Sequence, residues 1–331
     1  MRNLSIEYLR VIFMALIVLL HLIQFGYGEA EILASTRADS YVQLILMMFG
    51  KLGVPGFIFI TGYYGAKLNG NRLGTLWIQC SFYALLSLFL NNILFKKSVT
   101  VGGIIHSLLP LAGGYWFIED YIIIMLFAPL INEGINKIDK KKYTFIVVGL
   151  CIIVYLILWL RARNSAMSLL LFFVVYVIGR YLALHPCNYI ENKKYIFLSL
   201  SVVALIVIPI VVHYYRMNYL IKMYVITYYN IFTIIAVVSI FITVCGHNWL
   251  GQGNLLTKNV LAVYLVHCSP VGQKILNDCV IPHVPFSILS TFGLVIVVFL
   301  VSIMIEETRK KICNKMEQHL GSLISQWIGV T

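Results

Sequence analysis

Long apolar runs alternate with short charged turns along this chain, and the runs have the length of membrane spans rather than of core helices. Val11–Leu20, Phe145–Leu160 and Val202–Val212 are examples, each close to or extending to the roughly 20 apolar residues that a crossing helix needs. The pattern predicts about ten spans. Their cores fall near 8–27, 41–65, 76–95, 115–132, 143–160, 166–184, 195–213, 224–246, 258–277 and 286–305. Between the third and fourth lies Val101–Gly114, apolar but too short and too broken by Gly and Pro to cross. At membrane depth such a piece is tolerated only when packed against protein, so it reads as a re-entrant or surface segment. The expected fold is all-α: a polytopic membrane bundle with one transmembrane domain over 1–305 and a cytoplasmic amphipathic tail over 306–331.

That tail has a pattern of its own. Ile312, Met316, Leu320, Leu323, Ile324, Trp327 and Ile328 recur at helical spacing opposite Arg309, Lys310, Lys311 and Lys315. An interfacial helix lying on anionic headgroups is the expectation. Orientation follows from loop cations. With the N-terminus inside, fifteen of the 25 Lys and Arg fall on the cytoplasmic side and eight on the other, while Arg10 and Lys51 lie within spans. Both termini are then cytoplasmic, and the protein belongs in the cell membrane.

Composition sharpens the class. A mean hydropathy of +0.89 with 11% charged residues excludes an ordinary soluble enzyme. The net charge of +12 is the basic excess of membrane-protein loops; no basic–aromatic pattern points to nucleic acid. The seven cysteines form no metal-ligand or disulfide spacing, so no metal is expected and they read as small buried hydrophobes.

Chemistry concentrates first in the opening span. Arg10 and His21 are eleven residues apart, which on an α-helix brings them within about 20° of one face and roughly 16 Å apart along the axis. Ionisable groups in a bilayer are costly and face a bundle interior or a wet cavity. In the second span, Gly53-Val54-Pro55-Gly56-Phe57 and Thr61-Gly62-Tyr63 place helix-breaking residues inside an apolar run. Such breaks free backbone groups and make room for a ligand. Lys51 lies in the same span. Tyr115-Trp116-Phe117-Ile118-Glu119-Asp120-Tyr121 opens the fourth span, which reaches Pro129, and Tyr264-Leu265-Val266-His267 lies in the ninth.

Taken together, Arg10 with His21, Val54-Pro55-x-Phe57 running to Thr61-Gly62, Trp116-Phe117 with Pro129, and Tyr264-Leu265-x-His267 resemble the membrane acyltransferase 3 family from Ser5 to about Ile305. Thr61 stands where that family usually has Ser. The resemblance implies transfer of an acyl group, usually acetyl from acetyl-CoA, to a hydroxyl of a glycan, a lipid-linked sugar or a small molecule. His21 is then the expected general base, since imidazole takes a proton near neutral pH, and Glu119 is a candidate to orient it or to bind an acceptor hydroxyl. Arg10 suits a coenzyme phosphate, with Lys51, Lys67 and Arg72 as further donor-binding cations. Trp116 and Tyr121 offer a stacking wall for a sugar, and an interfacial aromatic belt explains them equally. Tyr264 and His267 share a face at i, i+3; they are candidates for the acceptor site, with a structural hydrogen bond between helices as the simpler alternative. The rival class is a transporter or flippase of a lipid-linked sugar, which also needs broken helices and intramembrane charge.

Overall fold

A computed structural model describes residues 2–109, 114–160, 166–217, 227, 228, 230–247, 249–251 and 253–328. Arg161, Arg163 and Lys222, three of the eight cations counted on the outer side, lie outside them. A helix or a set of short helices occupies each of the ten apolar stretches. Among the described residues, five helical segments are long and apolar enough to cross a membrane: 4–26, 38–64, 70–95, 194–214 and 288–327. Large apolar side chains project outward at helical spacing, among them Ile196, Leu200, Val203 and Val207 on one helix and Leu289, Phe292 and Ile296 on another. Exposed apolar surface on this scale marks a lipid-facing exterior. This is a multi-pass membrane protein.

The residues pack as two units, each drawn from two stretches of chain: Met1–Ala66 with Phe127–Thr257, and Lys67–Leu126 with Lys258–Thr331. Because each unit is discontinuous, no linker marks it in the sequence.

In the first unit, β1 (Arg2–Asn3) pairs antiparallel with β2 (Leu250–Gly251), a two-residue ladder in an otherwise helical fold. Asn3 then caps α1 (Leu4–His21) by accepting from Ser5 N at 3.0 Å. Beyond α1 comes a π-turn at Leu22–Gly26 and the short α2 (Glu29–Ala34). The second apolar stretch divides into α3 (Ala38–Gly50) and α4 (Gly53–Tyr64). Pro55 explains the division: it has no N–H to bond the Lys51 carbonyl, and the ladder restarts one residue later, with Gly56 N donating to Leu52 O at 3.0 Å.

Glycines then let α4 approach its neighbours. A Cβ on Gly53 would stand 2.5 Å from Phe13 O of α1, and one on Gly56 2.4 Å from the Phe13 ring. On the other side, a Cβ on Gly62 would stand 2.2 Å from Tyr176 O of the helix Ala166–Leu184. Small residues at such crossings are how helices associate without a hydrophobic driving force. The second unit is built on α5 (Gly70–Phe95) and α6 (Val101–Leu108). Helix α6 is the short piece expected between spans; Trp77 Nε1 and Ser81 Oγ of α5 both donate to its Leu108 O, at 3.1 and 3.2 Å.

The ninth stretch, expected as one span over 258–277, is instead a series of short pieces. Val260–His267 and Pro270–Lys274 are separate α-helices, followed by a π-turn at Ile275–Val280 and a 3₁₀ turn at Ile281–His283. The break lies at Ser269-Pro270. Pro270 holds Ser269 in extended backbone (ψ 149°), and the Ser269 hydroxyl caps the new helix by accepting from Gly272 N at 3.0 Å.

The last helix runs unbroken over Ile288–Ile328, about 62 Å at 1.5 Å per residue, twice the hydrocarbon thickness. The boundary drawn at Glu306 is therefore not a break in the backbone, and the tail continues the last span. One side of the tail packs on α5: a Cβ on Gly74 would stand 2.6 Å from Gly321 N, and one on Gly70 2.4 Å from Ser325 N. The apolar stripe of Ile312, Met316, Leu323 and Trp327 stays exposed.

Candidate active site

Arg10 and His21 both belong to the uninterrupted α1, so the common face read from their spacing holds in the fold. Arg10 is half-buried, and its Nη1 lies 3.0 Å from Glu7 Oε1. A carboxylate one turn away thus fixes the guanidinium, leaving part of its donor fork turned outward. His21 is half-buried and is the last residue before the π-turn, its ring 5.3 Å from that of Phe25. A π-turn widens the helix by one residue and so re-aims the side chains at its edge; such turns recur at functional sites.

Lys51 sits in the α3–α4 break and is fully buried, its Nζ 5.1 Å from the Tyr228 ring centroid. Gly50 beside it abuts Leu20 of α1, where a Cβ would stand 2.7 Å from Leu20 Cβ. Gly50, the residue before Lys51, thus packs against the last turns of α1. Thr61, the residue at the family's usual Ser position, donates its hydroxyl to Phe57 O at 2.9 Å within its own helix.

In the second unit, the fourth stretch begins α7 (Trp116–Asn136). Tyr115, just before it, is buried and donates to Leu265 O at 3.2 Å. Phe117 stacks on Tyr121 (6.2 Å, 12°) and meets Tyr264 at 5.4 Å. The aromatic array is thus Tyr121, Phe117 and Tyr264, whereas Trp116 is 38% exposed and meets Phe117 in a T-shaped contact. Glu119 and Asp120 are half-buried. His267 is buried, with Nδ1 2.5 Å from Val263 O and Nε2 3.3 Å from Cys268 Sγ. With Nδ1–H donating to the carbonyl, Nε2 is the acceptor nitrogen and faces the Cys268 thiol. Lys67 and Arg72 are exposed in and beyond the turn into α5.

The fold therefore gathers Arg10, His21 and Lys51 in one unit, and Phe117, Tyr121, Tyr264 and His267 in the other. Sequence reading missed Glu7 as the partner of Arg10, although the i, i+3 spacing was there to see. It also missed an ion network around a buried Glu306–Arg309 pair. Glu306 and Arg309, 2% and 1% exposed, pair through Arg309 Nε (2.8 Å) and Nη2 (2.9 Å), and Arg309 Nη1 holds Glu317. Gln79 and Tyr83 of α5 donate to the same Glu306 carboxylate at 3.1 and 2.8 Å. His213, in the last turn of its helix, is buried, 3.5 Å from Ser40 Oγ and in a T-shaped contact with Tyr41.

Apolar crossing helices, broken spans and buried cations with a half-buried imidazole define a membrane protein of the enzyme or carrier type. A family model described as an acyltransferase domain, Acyl_transf_3, matches residues 3–307. The chain belongs to the acyltransferase 3 family and is an acyltransferase. No curated protein and no solved structure matches it.

Proposed function

We propose that this enzyme moves an acetyl group from acetyl-CoA to a hydroxyl of a cell-surface or exopolysaccharide glycan, carried as polymer or as a lipid-linked sugar. The membrane is the cell membrane, crossed about ten times with both termini inside. A sugar hydroxyl is a weak nucleophile until a base removes its proton. His21 supplies that base; aligned general-base catalysis is worth about 10²–10⁴-fold. The hydroxyl oxygen attacks the thioester carbonyl, its proton passes to the imidazole, and the coenzyme leaves as the thiol. Arg10, held by Glu7, offers its remaining N–H groups to a donor phosphate or to the pantetheine amides. The aromatic faces of Phe117, Tyr121 and Tyr264 suit the apolar face of a sugar ring, and Glu119 suits its hydroxyls.

The observation that carries this reading is the placement of His21 at the edge of the π-turn, on the same helix and the same helical face as Arg10. The test is transfer of labelled acetyl from acetyl-CoA to extracted glycan, in membranes with and without this protein. Label appearing in glycan only when the protein is present is the expected result. Equal label in both membranes removes the proposal.

A further inference from the structure

The second unit holds a cleft that the acyl-transfer residues do not use. It has a volume of about 640 Å³ and lies between α5, Lys258 and the stretch of the last helix from Glu306 to Glu317. That size is in the range of pockets for ligands of a few tens of atoms, about 300–1,000 Å³. Its walls are polar, with Thr75, Gln79 and Asn314 among the lining residues. Four cations and three carboxylates line it as well, so its preference depends on which charges are already committed.

All three carboxylates are. Glu306 takes hydrogen bonds from Gln79, Tyr83 and both sides of Arg309. Glu317 takes the remaining Arg309 Nη1, and Glu307 takes Lys310 Nζ and Asn259 Nδ2, both at 2.9 Å. Lys310 is further tied to Asn259 Oδ1. The ammonium groups of Lys258 and Lys311 enter no hydrogen bond and no close ion pair among the described residues, and both are exposed at the rim. Arg309 and Lys310 thus hold the three carboxylates, and the two further ammonium groups of Lys258 and Lys311 give the cleft, with four cations against three carboxylates, a net charge of +1 that suits a phosphate. Lys258 and Lys311 also fall on the side to which the loop cations assign the cytoplasm. Lys311 lies beyond the stretch that matches the family model.

We propose that this cleft binds the phosphorylated nucleotide end of the acyl donor, with Lys258 and Lys311 contacting its phosphates. The inference rests on the acyl-coenzyme A reading above. It assigns the nucleotide to a built cleft instead of to Lys67 and Arg72, which stand on the surface.

The test uses the full chain in phosphatidylcholine nanodiscs. Adenosine 3′,5′-bisphosphate and coenzyme A are titrated by calorimetry into the wild type and into the double variant Lys258→Gln, Lys311→Gln. Both lysines are exposed, so the fold should survive; the double variant Lys258→Arg, Lys311→Arg checks that charge is what matters. The expected result is a loss of at least tenfold in affinity for both ligands with Gln, and near wild-type affinity with Arg. Binding should also weaken as salt rises, because the rim charges are screened by water and ions. In turnover, the KM for acyl-coenzyme A should rise about tenfold in the Gln variant at unchanged kcat, while the KM for the matching acyl-pantetheine, which lacks the nucleotide, stays put. Wild-type affinity for the bisphosphate in the Gln variant overturns the proposal. So does a variant that binds nucleotide normally but loses affinity for phosphatidylglycerol, since the cleft would then hold a lipid headgroup. A wild type that binds the bisphosphate through these lysines but transfers no acyl group would sink the proposed function and leave the nucleotide cleft standing.

Discussion

Arg10 and His21 differ in what holds them, and the difference sets what substitution at each should do. Arg10 is braced by Glu7 at 3.0 Å. Arg10→Lys keeps the charge but loses the planar fork, so donor affinity should fall severalfold while the protein still folds. Titration of coenzyme A into purified protein checks this, and unchanged affinity would take Arg10 out of the donor site. His21 ends its helix beside Phe25. His21→Gln keeps a hydrogen-bonding group of similar reach but cannot act as a base near pH 7, so turnover should fall at least about a hundredfold with donor binding intact. A variant keeping more than a tenth of wild-type turnover has lost less than about 1.4 kcal/mol of barrier stabilisation, too little for removal of a general base. His21 would then be a packing residue.

At the scale of helices, packing here depends on missing side chains as much as on present ones. Gly53 lies against the α1 backbone, whereas nothing stands within 4 Å of where a Cβ on Gly102 would be. Gly53→Leu should push α1 and α4 apart and sharply reduce the yield of folded protein, while Gly102→Ala should leave it near wild type; size-exclusion profiles in detergent separate the two outcomes. The last helix depends on charge instead. Arg309→Ala leaves Glu306 and Glu317 without their shared cation in a buried setting, a loss of about 3–5 kcal/mol for breaking such a pair. Thermal unfolding in detergent should show a clearly lowered midpoint. A midpoint equal to the wild type would mean that the network is wet and contributes little.

For the whole molecule, the expectation to test is sidedness. Loop cations place Lys141 inside and Lys97 outside, and both are exposed in the fold. Single cysteines at these positions in a cysteine-free variant should behave oppositely toward an impermeant thiol reagent in intact cells: labelled at 97, unlabelled at 141. The reverse pattern inverts the topology and moves the donor to the other face.

Hydropathy alone determined that the chain is helical and membrane-embedded, because a run of apolar residues long enough to cross a bilayer has few other stable fates. Spacing alone put Arg10 and His21 on one face, since both lie within a single regular helix and helical geometry needs no partner. The Gly and Pro residues of the second stretch announced a break there, and Ser269-Pro270 carried the same signal in the ninth, where apolarity outweighed it in the reading. Other features needed the tertiary structure. The two discontinuous units, the stack of Phe117 on Tyr121 in place of Trp116, and the burial of Glu306 and Arg309 under Gln79 and Tyr83 all join residues distant in sequence or choose between faces of one helix. A cation just past an apolar run looks like any positive-inside loop charge; the i, i+3 spacing from Glu306 allows a pair, and only the arrival of α5 beside it shows that Arg309 is buried and part of a cleft. Local periodicity fixes which way a side chain faces along its own helix, and only packing decides what it meets there.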